Sequence, residues 1–425
     1  MKRLYIFESH PVQYHAPVYR ALHQGVNRAG GSEVHVFYAT DAPVRGHFDP
    51  GFRRQVTWDE PLLEGYPVTV LGNERGIPLC GFRSLSGKGV MDILRRGRPS
   101  AILLTGLAYE YDWAAYAAAC LLGIPIWIRT ETQDRAFVRP RWKTGLRWIA
   151  YSLAYLPVRR ALVIGRLNAE HYRRHGGAPE RQIRSPYCVV DRFSCLSEAQ
   201  RREIRNELRA RLEIPAHATV LLFCGKLQPK KNPLILLEAI GAMSPMEREG
   251  YALLFVGTGE QETLLRQRAA QLPGARVVFA GFQNQTEIAQ WYLAADILVL
   301  PSRQMGETWG LVVNEALMAG CRAVVSSHVG SHADFAALRS VQIFDGEVHG
   351  LLQCLRGPSE RVSVEQQRAF MDGYSVAAAS EGIAQALGTP FRSDRSRDGG
   401  SQQEHETLTH FHPTSSPRTT TSSAN

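Results

Sequence analysis

Two glutamates eight positions apart have the residue type and the setting for sugar chemistry: Glu307 and Glu315, in the segment PSRQMGETWGLVVNEALMAG. Glu307 lies in a glycine-flanked loop, and Glu315 falls in an apolar run with helical spacing. Ionised carboxylates accept charge-assisted hydrogen bonds, so the pair could bind vicinal hydroxyls of a sugar or a ribose. The pair could also be the acid and base of a glycoside hydrolase.

The spacing of the two glutamates separates these alternatives. Eight residues of continuous helix would rise by ~12 Å. A retaining glycosidase holds its two carboxyl groups ~5–5.5 Å apart, and an inverting one ~6.5–9.5 Å apart. The loop around Glu307 leaves some slack in this comparison. The spacing therefore disfavours a hydrolase and favours two separate hydroxyl-binding groups.

A second set of chemically suited residues lies in GKLQPKKNP, directly after an apolar, strand-like run. Lys226 and Lys231 stand five positions apart, with Gly225 before them and Lys230 between them. Fixed cations on a loop and at the start of a helix suit a pyrophosphate. Surface lysines at a helix entrance are the alternative interpretation.

Two backbone features could add to an anion site. Gly257 and Gly259 in VGTGEQE would let the backbone approach a ligand closely, although such a pair is often only a tight turn. The amides at the predicted start of the helix carrying Glu315 would favour an anion through the partial positive charge of a helix N-terminus. These amides belong to Thr308, Trp309, Gly310 and Leu311.

Cations, a helix start and carboxylates together predict a nucleotide-activated sugar as the ligand. The sequence contains no D-x-D motif, which commonly supplies the oxygen ligands of a Mg²⁺ or Mn²⁺ ion at a diphosphate. We therefore expect no metal and no cofactor, with the lysines and the helix start supplying the positive charge. The sugar and the base stay open, because pocket shape and backbone contacts, for example around Gly281 and Phe282, would select them.

The elements that must position these residues follow from alternating strand-like and helical patterns, which are typical of parallel sheets. Before Glu307, DILVLPS predicts a buried strand, so the carboxylate follows a strand as ligand-binding groups do in α/β proteins. We predict an α/β fold with two Rossmann-like, doubly wound domains facing across a ligand-binding cleft. The predicted segments are a first domain at 1–190, a second at 191–373, a terminal helix at 374–387 and a disordered, polar tail at 388–425.

The composition is that of a globular protein large enough for two domains, with 425 residues, 44% hydrophobic and 21% charged. The longest apolar stretch, 113–128, contains Gly123 and Pro125 and is shorter than the ~20 residues of a membrane span. We predict no export signal, and the scattered cysteines favour a reducing cytoplasm.

The net charge of +9 is partly concentrated between residues 135 and 160, where Arg and Lys alternate with Trp142 and Trp148. A solvated helix face with ordinary packing aromatics is one interpretation. The other is a surface that contacts anionic membrane lipid on the inner face of the plasma membrane, or a pyrophosphate-linked acceptor. Nucleic acid is disfavoured, because no recognition motif accompanies the charge.

The chain resembles the family-4 retaining glycosyltransferases, which have the GT-B fold. GKLQPKKNP is similar to the family's G-R-L-x-x-x-K signature, and ETWGLVVNE is similar to its E-x7-E motif. The resemblance extends over residues 1–387. Several first-domain segments are similar to a bacterial branch associated with surface-polysaccharide assembly: HPVQYHAPVYRAL, FRRQVTWDEPLLEGY, GIPIWIRTE and IGRLNAEHYRRHGGAPERQIRSPYCVVDRF.

The resemblance implies roles for the second-domain residues. Lys226 takes the place of the usual arginine and Lys231 that of the lysine, both on the diphosphate. Glu307 would contact hydroxyls of the donor sugar, and Glu315 the ribose. Lys226 keeps the charge of the arginine but loses its bidentate fork.

The first domain, which the resemblance implies binds the acceptor, departs from the family. Many members carry a histidine near the donor sugar, but the corresponding stretch here, TGLAYEYDW, has none. His10 and His15 lie near the first strand instead. The other candidates are Gln13, Tyr14, Glu110, Asp112 and Glu131, and any of these residues could instead be a structural hydrogen-bonding residue. The terminal helix is expected to pack back on this domain.

The resemblance implies transfer of a sugar from a nucleotide-diphosphate donor to an acceptor hydroxyl, with retention at the anomeric carbon. The acceptor is expected to be a saccharide or a lipid-linked saccharide, in polysaccharide or glycolipid biosynthesis. Two alternatives stay open. One is a nucleotide-sugar epimerase or hydrolase, and the other is a non-catalytic nucleotide-sugar binding protein.

Overall fold

The structure is a computed structural model in which residues 1–75, 81–357 and 363–392 are described. Most of the predicted tail, 393–425, lies outside the described residues. Within the described part of the chain, no helix combines the length and the apolar character needed to cross a bilayer.

The first domain is built around a parallel sheet whose strand order is β5-β2-β1-β6-β7-β8-β9. A separate antiparallel pair, β3 and β4, stands outside this sheet. The strands are β1 (Lys2–Glu8), β2 (Ser32–Tyr38), β3 (His47–Asp49), β4 (Arg54–Val56), β5 (Val68–Val70), β6 (Ala101–Leu104), β7 (Ile126–Ile128), β8 (Val158–Val163) and β9 (Gln182–Arg184). The helices are α1 (Ala16–Arg28), α2 (Ala42–Arg45), α3 (Val90–Gly97), α4 (Glu110–Leu122), α5 (Arg141–Tyr155) and α6 (Arg166–Arg174).

The second domain has its own parallel sheet, with strand order β12-β11-β10-β13-β14-β15. Its strands are β10 (Thr219–Cys224), β11 (Tyr251–Val256), β12 (Arg276–Gly281), β13 (Ile297–Leu300), β14 (Arg322–Ser326) and β15 (Val341–Phe344). The helices from this point on are α7 (Glu198–Arg211), α8 (Leu234–Gly241), α9 (Pro245–Arg248), α10 (Glu262–Ala269), α11 (Ile288–Ala294), α12 (Val312–Ala319), α13 (His332–Phe335), α14 (Val348–Arg356), α15 (Val364–Met371) and α16 (Val376–Leu387). The predicted α/β class with two parallel-sheet domains is confirmed.

Strand β10 is the point at which the order of the second sheet reverses. It pairs with β11 on one side and with β13 on the other, all in parallel. Ligands of open α/β sheets bind in the crevice beside the carboxyl ends of the strands at such a point. The loop after β10 carries Lys226 and the loop after β13 carries Glu307, so strand adjacency brings together residues that are distant in the sequence.

The polar stretch between the two sheets contains an amphipathic helix, α7. A capping box closes its first turn, because the Ser197 hydroxyl accepts from the Gln200 amide. Arg205 and Arg209 on its inner face bind the two oxygens of Asp296 at 2.5 and 2.6 Å. This helix therefore braces the start of β13, the strand that leads to Glu307.

The C-terminal helix α16 packs on the first domain, as expected. Its apolar residues, including Ile383, join the core cluster that contains Leu4 of β1. The Ser380 hydroxyl donates to the Val18 carbonyl at 3.0 Å. The chain thus crosses back from the second domain to the first.

Residues 388–392, at the start of the predicted tail, lie against the first domain. Thr389 is buried, and its hydroxyl lies 2.5 Å from that of Ser32. The Phe391 ring packs beside Gly25 of α1, where a Cβ on the glycine would lie 2.2 Å from it. An aromatic ring and a hydroxyl with a buried partner hold 388–392 on the first domain, although the composition around them is polar.

Candidate active site

Lys231 and Glu307 form an ion pair at the carboxyl ends of β10 and β13. The Glu307 carboxylate is only 7% exposed and also accepts a hydrogen bond of 3.0 Å from the Ser302 hydroxyl. Burial alone would raise the pKa of Glu307, but Lys231, Lys230 and Ser302 outweigh it and lower the pKa below its ordinary value. Glu307 is therefore held as a carboxylate with a fixed orientation, close to Lys230 and Lys231 of the loop after β10.

Lys226, at the other end of the same loop, pairs with a residue of the first domain. Its ammonium lies 2.9 Å from Asp49 Oδ2. Nothing in the sequence around Asp49 predicts this partner, since the two residues are 177 positions apart and Asp-Pro-Gly signals only a turn. The lysines predicted for the diphosphate are thus both engaged with carboxylates, one from each domain.

The glycines Gly257 and Gly259 approach a neighbouring loop rather than open space. A Cβ on Gly257, whose φ is +129°, would lie 2.0 Å from the carbonyl oxygen of Gly225. One on Gly259 would lie 2.4 Å from the carbonyl oxygen of Leu227. The two glycines allow the loop after β11 to pack on the loop that carries Lys226.

Residues 308–311 lie immediately before α12, which begins at Val312, so their amides are close to a helix N-terminus. Within the described residues, the amides of 308–311 donate to no protein acceptor. Gly310 has a φ of +94° and lies against Leu300 and Val329, so a side chain would not fit. Thr308 donates a hydrogen bond of 3.0 Å to Glu131 of the first domain.

Trp309 is an anchor for this loop through its side chain. The indole is 3% exposed and packs against the rings of Tyr187 and Phe335. Its Nε1–H donates to Asn314 Oδ1 at 2.9 Å. The side chain therefore fixes the backbone whose amides were predicted to face an anion.

Glu315 is buried at the boundary between the domains, where it accepts a hydrogen bond from the Tyr292 hydroxyl and faces Tyr14 of the first domain. Burial raises its pKa to about 7, and the two hydroxyls only partly offset this effect. Gln13 and Arg192 line the same narrow pocket between the domains. The two glutamates have opposite electrostatic environments, so they are unsuited to identical roles.

Phe282, predicted to lie at the donor, is covered by an aromatic and cationic cluster from the first domain. Its ring centroid lies 5.0 Å from that of Phe52, at an angle of 83°. The Arg54 guanidinium lies 4.8 Å from the Phe282 centroid, and Trp58 lies 6.3 Å away. Sequence reasoning did not identify these first-domain partners.

The first-domain candidates are spread along the cleft wall. Gln13 and Tyr14 share the pocket of Glu315, whereas Glu131 bonds both Thr308 and the Tyr187 hydroxyl. The Nδ1 of His10 lies 2.9 Å from the Ser9 hydroxyl. Gln13, Tyr14 and Glu131 are thus the candidates whose contacts with the second domain are described.

His15, a second histidine near the first strand, is linked to the first-domain candidates through its neighbours. Its Nδ1 is 2.5 Å from Glu8, which also accepts from Tyr19. The imidazole ring lies 5.8 Å from the ring of Tyr187, and Tyr187 in turn donates to Glu131. His15 is thereby connected to the cleft through one aromatic side chain.

One cluster in the described residues has the side chains of a metal site: Asp134, His171 and His175. Asp134 lies 2.8 Å from His171 Nδ1 and 3.3 Å from His175 Nε2, which are hydrogen-bond distances. The Arg174 guanidinium lies 3.6 Å from the same carboxylate and opposes a cation there. These groups hold the 131–139 loop, from which Gln133 reaches the Glu307 carbonyl at 3.4 Å.

The domain that contains both lysines and both glutamates also matches a family of known proteins. Residues 204–342 match the model of the family described as glycosyl transferases group 1. These residues belong to the group 1 glycosyl transferases. The family resemblance of GKLQPKKNP and ETWGLVVNE is thereby confirmed for the group 1 glycosyl transferase domain.

Two curated relatives match part of the chain. The chain is 37% identical over 179 residues to D-inositol 3-phosphate glycosyltransferase 2 of Catenulispora acidiphila, covering 40% of each protein. It is 32% identical over 164 residues to lipopolysaccharide 1,2-N-acetylglucosaminetransferase of Salmonella typhimurium, covering 37% of this chain and 42% of that protein. The match thus spans about two fifths of these relatives' length.

A solved structure extends the likeness to both domains. Anabaena HepE in complex with UDP has a TM-score of 0.67 and 18% sequence identity, and the alignment covers 91% of this chain and 100% of that one. At this identity the likeness concerns the fold. The group 1 glycosyl transferase domain and its partner domain therefore form the GT-B fold that the sequence resemblance implied.

Proposed function

We propose that the protein is a retaining glycosyltransferase that moves a sugar from a nucleoside-diphosphate donor to an acceptor hydroxyl. The observation that carries the proposal is the Glu307–Lys231 pair at the sheet edge, inside the matched group 1 domain. A buried carboxylate with a lowered pKa is a strong acceptor for sugar hydroxyls, and the adjacent lysines suit the diphosphate.

In the proposed reaction, bond cleavage builds negative charge on the departing diphosphate. Lys226, Lys231 and the amides of 308–311 are preorganised donors for this charge, and such preorganisation is commonly the largest catalytic term. The bond between the anomeric carbon and the phosphate oxygen breaks, and the acceptor oxygen attacks from the same face. The departing phosphate oxygen takes the acceptor proton, so no separate general base is needed.

We propose that the transfer requires neither a metal ion nor a cofactor. Three lysines on one loop, Lys226, Lys230 and Lys231, supply cationic groups that a divalent ion would otherwise provide. Glu315 is proposed to bind the ribose. When the donor binds, ribose hydroxyls would replace the hydroxyls of Tyr292 and Tyr14 as partners of the Glu315 carboxylate. Gln13, Tyr14 and Glu131 are proposed to border the acceptor.

We further propose that the acceptor is a lipid-linked saccharide and that the first domain contacts an anionic membrane from the cytoplasmic side. Helix α5 exposes Trp142, Leu146 and Leu153 by 63%, 60% and 60%. Lys143 lies 5.3 Å from the Trp142 ring and stands among other cations of the same helix. Apolar side chains mixed with cations suit the interface of an anionic bilayer.

The experiment that tests the proposed transfer has two steps. Binding of UDP-, GDP-, ADP- and dTDP-sugars to the purified protein is measured by calorimetry, and the donor that binds is then incubated with membrane-extracted acceptors. Sugar transfer with retained anomeric configuration, undiminished by a chelator, supports the proposal. Rapid release of free sugar or of an epimer without acceptor would contradict it, as would binding without any turnover.

A further inference from the structure

The segment of residues 49–59 contains the end of β3, the turn to β4, β4 itself and the three residues after it. It belongs to the first domain but contacts the donor side of the cleft, and we call it the clasp. The Thr258 hydroxyl of the second domain donates to the Phe52 carbonyl at 2.8 Å, and the Asn284 amide donates to the Thr57 carbonyl at 3.0 Å. The clasp is thereby fastened to the second domain along its length.

Asp49, the first residue of the clasp, is aimed at Lys226 by its own turn. Its Oδ1 accepts from the amides of Gly51 and Phe52 at 2.7 and 3.0 Å, which leaves Oδ2 for Lys226 at 2.9 Å. Burial alone would raise the pKa of Asp49, but Lys226 and the two amides outweigh it and lower the pKa. The charged Asp49 carboxylate is therefore held against Lys226, the lysine that is predicted to bind the diphosphate.

The same turn covers the predicted positions of the donor diphosphate and the donor base. The Phe52 ring lies 4.9 Å from the Lys226 ammonium and 5.0 Å from the Phe282 ring. Gly51 makes this approach possible, because a Cβ there would lie 2.6 Å from the Lys226 side chain. A diphosphate at Lys226 and a base near Phe282 would meet Asp49 and Phe52 at once.

We propose that Asp49 sets the donor affinity by competing with the donor diphosphate for Lys226. The proposal rests on the proposed function. A diphosphate beside Lys226 brings negative charge against the Asp49 carboxylate, and like charges at such distances repel strongly outside bulk water. Donor entry therefore separates Asp49 from Lys226 and withdraws the clasp, so that the energy of the Asp49–Lys226 pair opposes binding.

Asp49→Asn tests the competition, because asparagine keeps the oxygen that accepts from the turn amides and removes the charge. Calorimetry with inorganic pyrophosphate and with UDP, GDP and ADP measures affinity without requiring turnover. We expect the variant to bind pyrophosphate and the preferred nucleotide about tenfold more tightly than the wild type. In the Lys226→Met background, Asp49→Asn is expected to change the affinity by less than about twofold, as a double-mutant cycle requires for a direct pair.

Asp59→Asn is the matched control. Asp59 lies in the same clasp and accepts from the Thr286 amide at 3.1 Å, but it does not contact Lys226. We expect this variant to bind within about twofold of the wild type.

Unchanged or weaker binding by Asp49→Asn would overturn the proposal, and so would an equal gain in Asp59→Asn, which would assign the effect to loosened domain contacts. If neither pyrophosphate nor any of the nucleotides binds the folded wild type, the proposed function itself fails, and this inference fails with it.

Discussion

The indole nitrogen of Trp309 donates a hydrogen bond of 2.9 Å to Asn314 Oδ1, in the first turn of the helix that carries Glu315. Asn314 also donates to the Tyr187 carbonyl of the first domain at 3.2 Å. One side chain therefore joins the loop after β13, the helix α12 and the domain boundary. The position of the amides of 308–311 depends on this bond.

Trp309→Phe is expected to lower the free energy of unfolding by about 1–3 kcal/mol, because phenylalanine leaves the buried Asn314 oxygen without its donor. Urea denaturation measures the change. Trp142→Phe is the control, since Trp142 is 63% exposed and is expected to have no measurable effect on stability. Equal stability of the Trp309 variant and the wild type would contradict the assigned role.

Glu307→Gln is expected to lower the rate of sugar transfer on the order of a hundredfold, because the charge-assisted hydrogen bonds to the sugar hydroxyls are lost. Initial rates with the donor identified by calorimetry measure the effect. Glu262→Gln removes a glutamate that pairs with Arg266 on α10, and it should leave the rate unchanged. Full activity of the Glu307 variant would refute the role of Glu307.

Lys231→Met is expected to lower the free energy of unfolding by about 3–5 kcal/mol, because Glu307 is then buried without its main partner. The double variant with Glu307→Gln should recover most of this stability, because no unpaired charge remains. The double variant should nevertheless stay inactive. Chemical denaturation and a transfer assay on the same preparations separate the two effects, and recovered transfer would contradict the proposal.

The raised pKa of Glu315, about 7 against an ordinary value of 4.5, predicts a pH-dependent stability. Between these two values Glu315 binds more protons in the folded state than in the unfolded state, so its contribution to stability is fully present below pH 4.5 and is lost as the pH rises through 7. Relative to Glu315→Gln, the wild type should lose about 3 kcal/mol across this window.

Urea denaturation of both proteins at pH 5.0 and pH 7.5 measures this difference. Glu262→Gln should follow the wild type at both values, since Glu262 is partly exposed beside Arg266. Parallel curves for the wild type and Glu315→Gln would show that Glu315 does not titrate in this range.

Trp142→Ser combined with Leu153→Ser is expected to lower binding to vesicles of anionic phosphatidylglycerol at least tenfold, because both side chains are exposed on α5 and would enter the interface. Co-sedimentation at low and high salt measures the binding. Met246→Ser is the control, since this residue of the second domain is 84% exposed but lies outside α5. Equal sedimentation of all three proteins would exclude α5 as the contact.

Much of the fold was predictable because β10, β11 and β13 are continuous apolar runs, as buried parallel strands must be. That Lys231 and Glu307 lie at the same edge of the second sheet was predictable, since both residues follow strands of that sheet. Their direct pairing was not, because it depends on the adjacency of β10 and β13, which are separated in the sequence by β11 and β12.

The sequence pattern predicted none of the side-chain contacts that come from the other domain or from distant helices. Asp49 reaches Lys226 only because the two domains close on each other, and local sequence pattern does not encode that closure. The opposite pKa shifts of Glu307 and Glu315 also depend on distant residues, namely Lys231 in one case and burial beside Tyr292 in the other. The chemistry of a carboxylate is set by its neighbours rather than by its place in a motif.

The return of α16 to the first domain means that the chain passes between the domains twice. The two passages touch, since the Ser185 hydroxyl donates to the Ala379 carbonyl at 2.8 Å and the Arg184 guanidinium lies 4.8 Å from the Tyr374 ring. Two bodies joined at a single point can rotate in any direction, whereas a seam of adjoining links restricts them to swinging about one line. We therefore expect the two domains to open and close mainly by swinging about the line through these two connections.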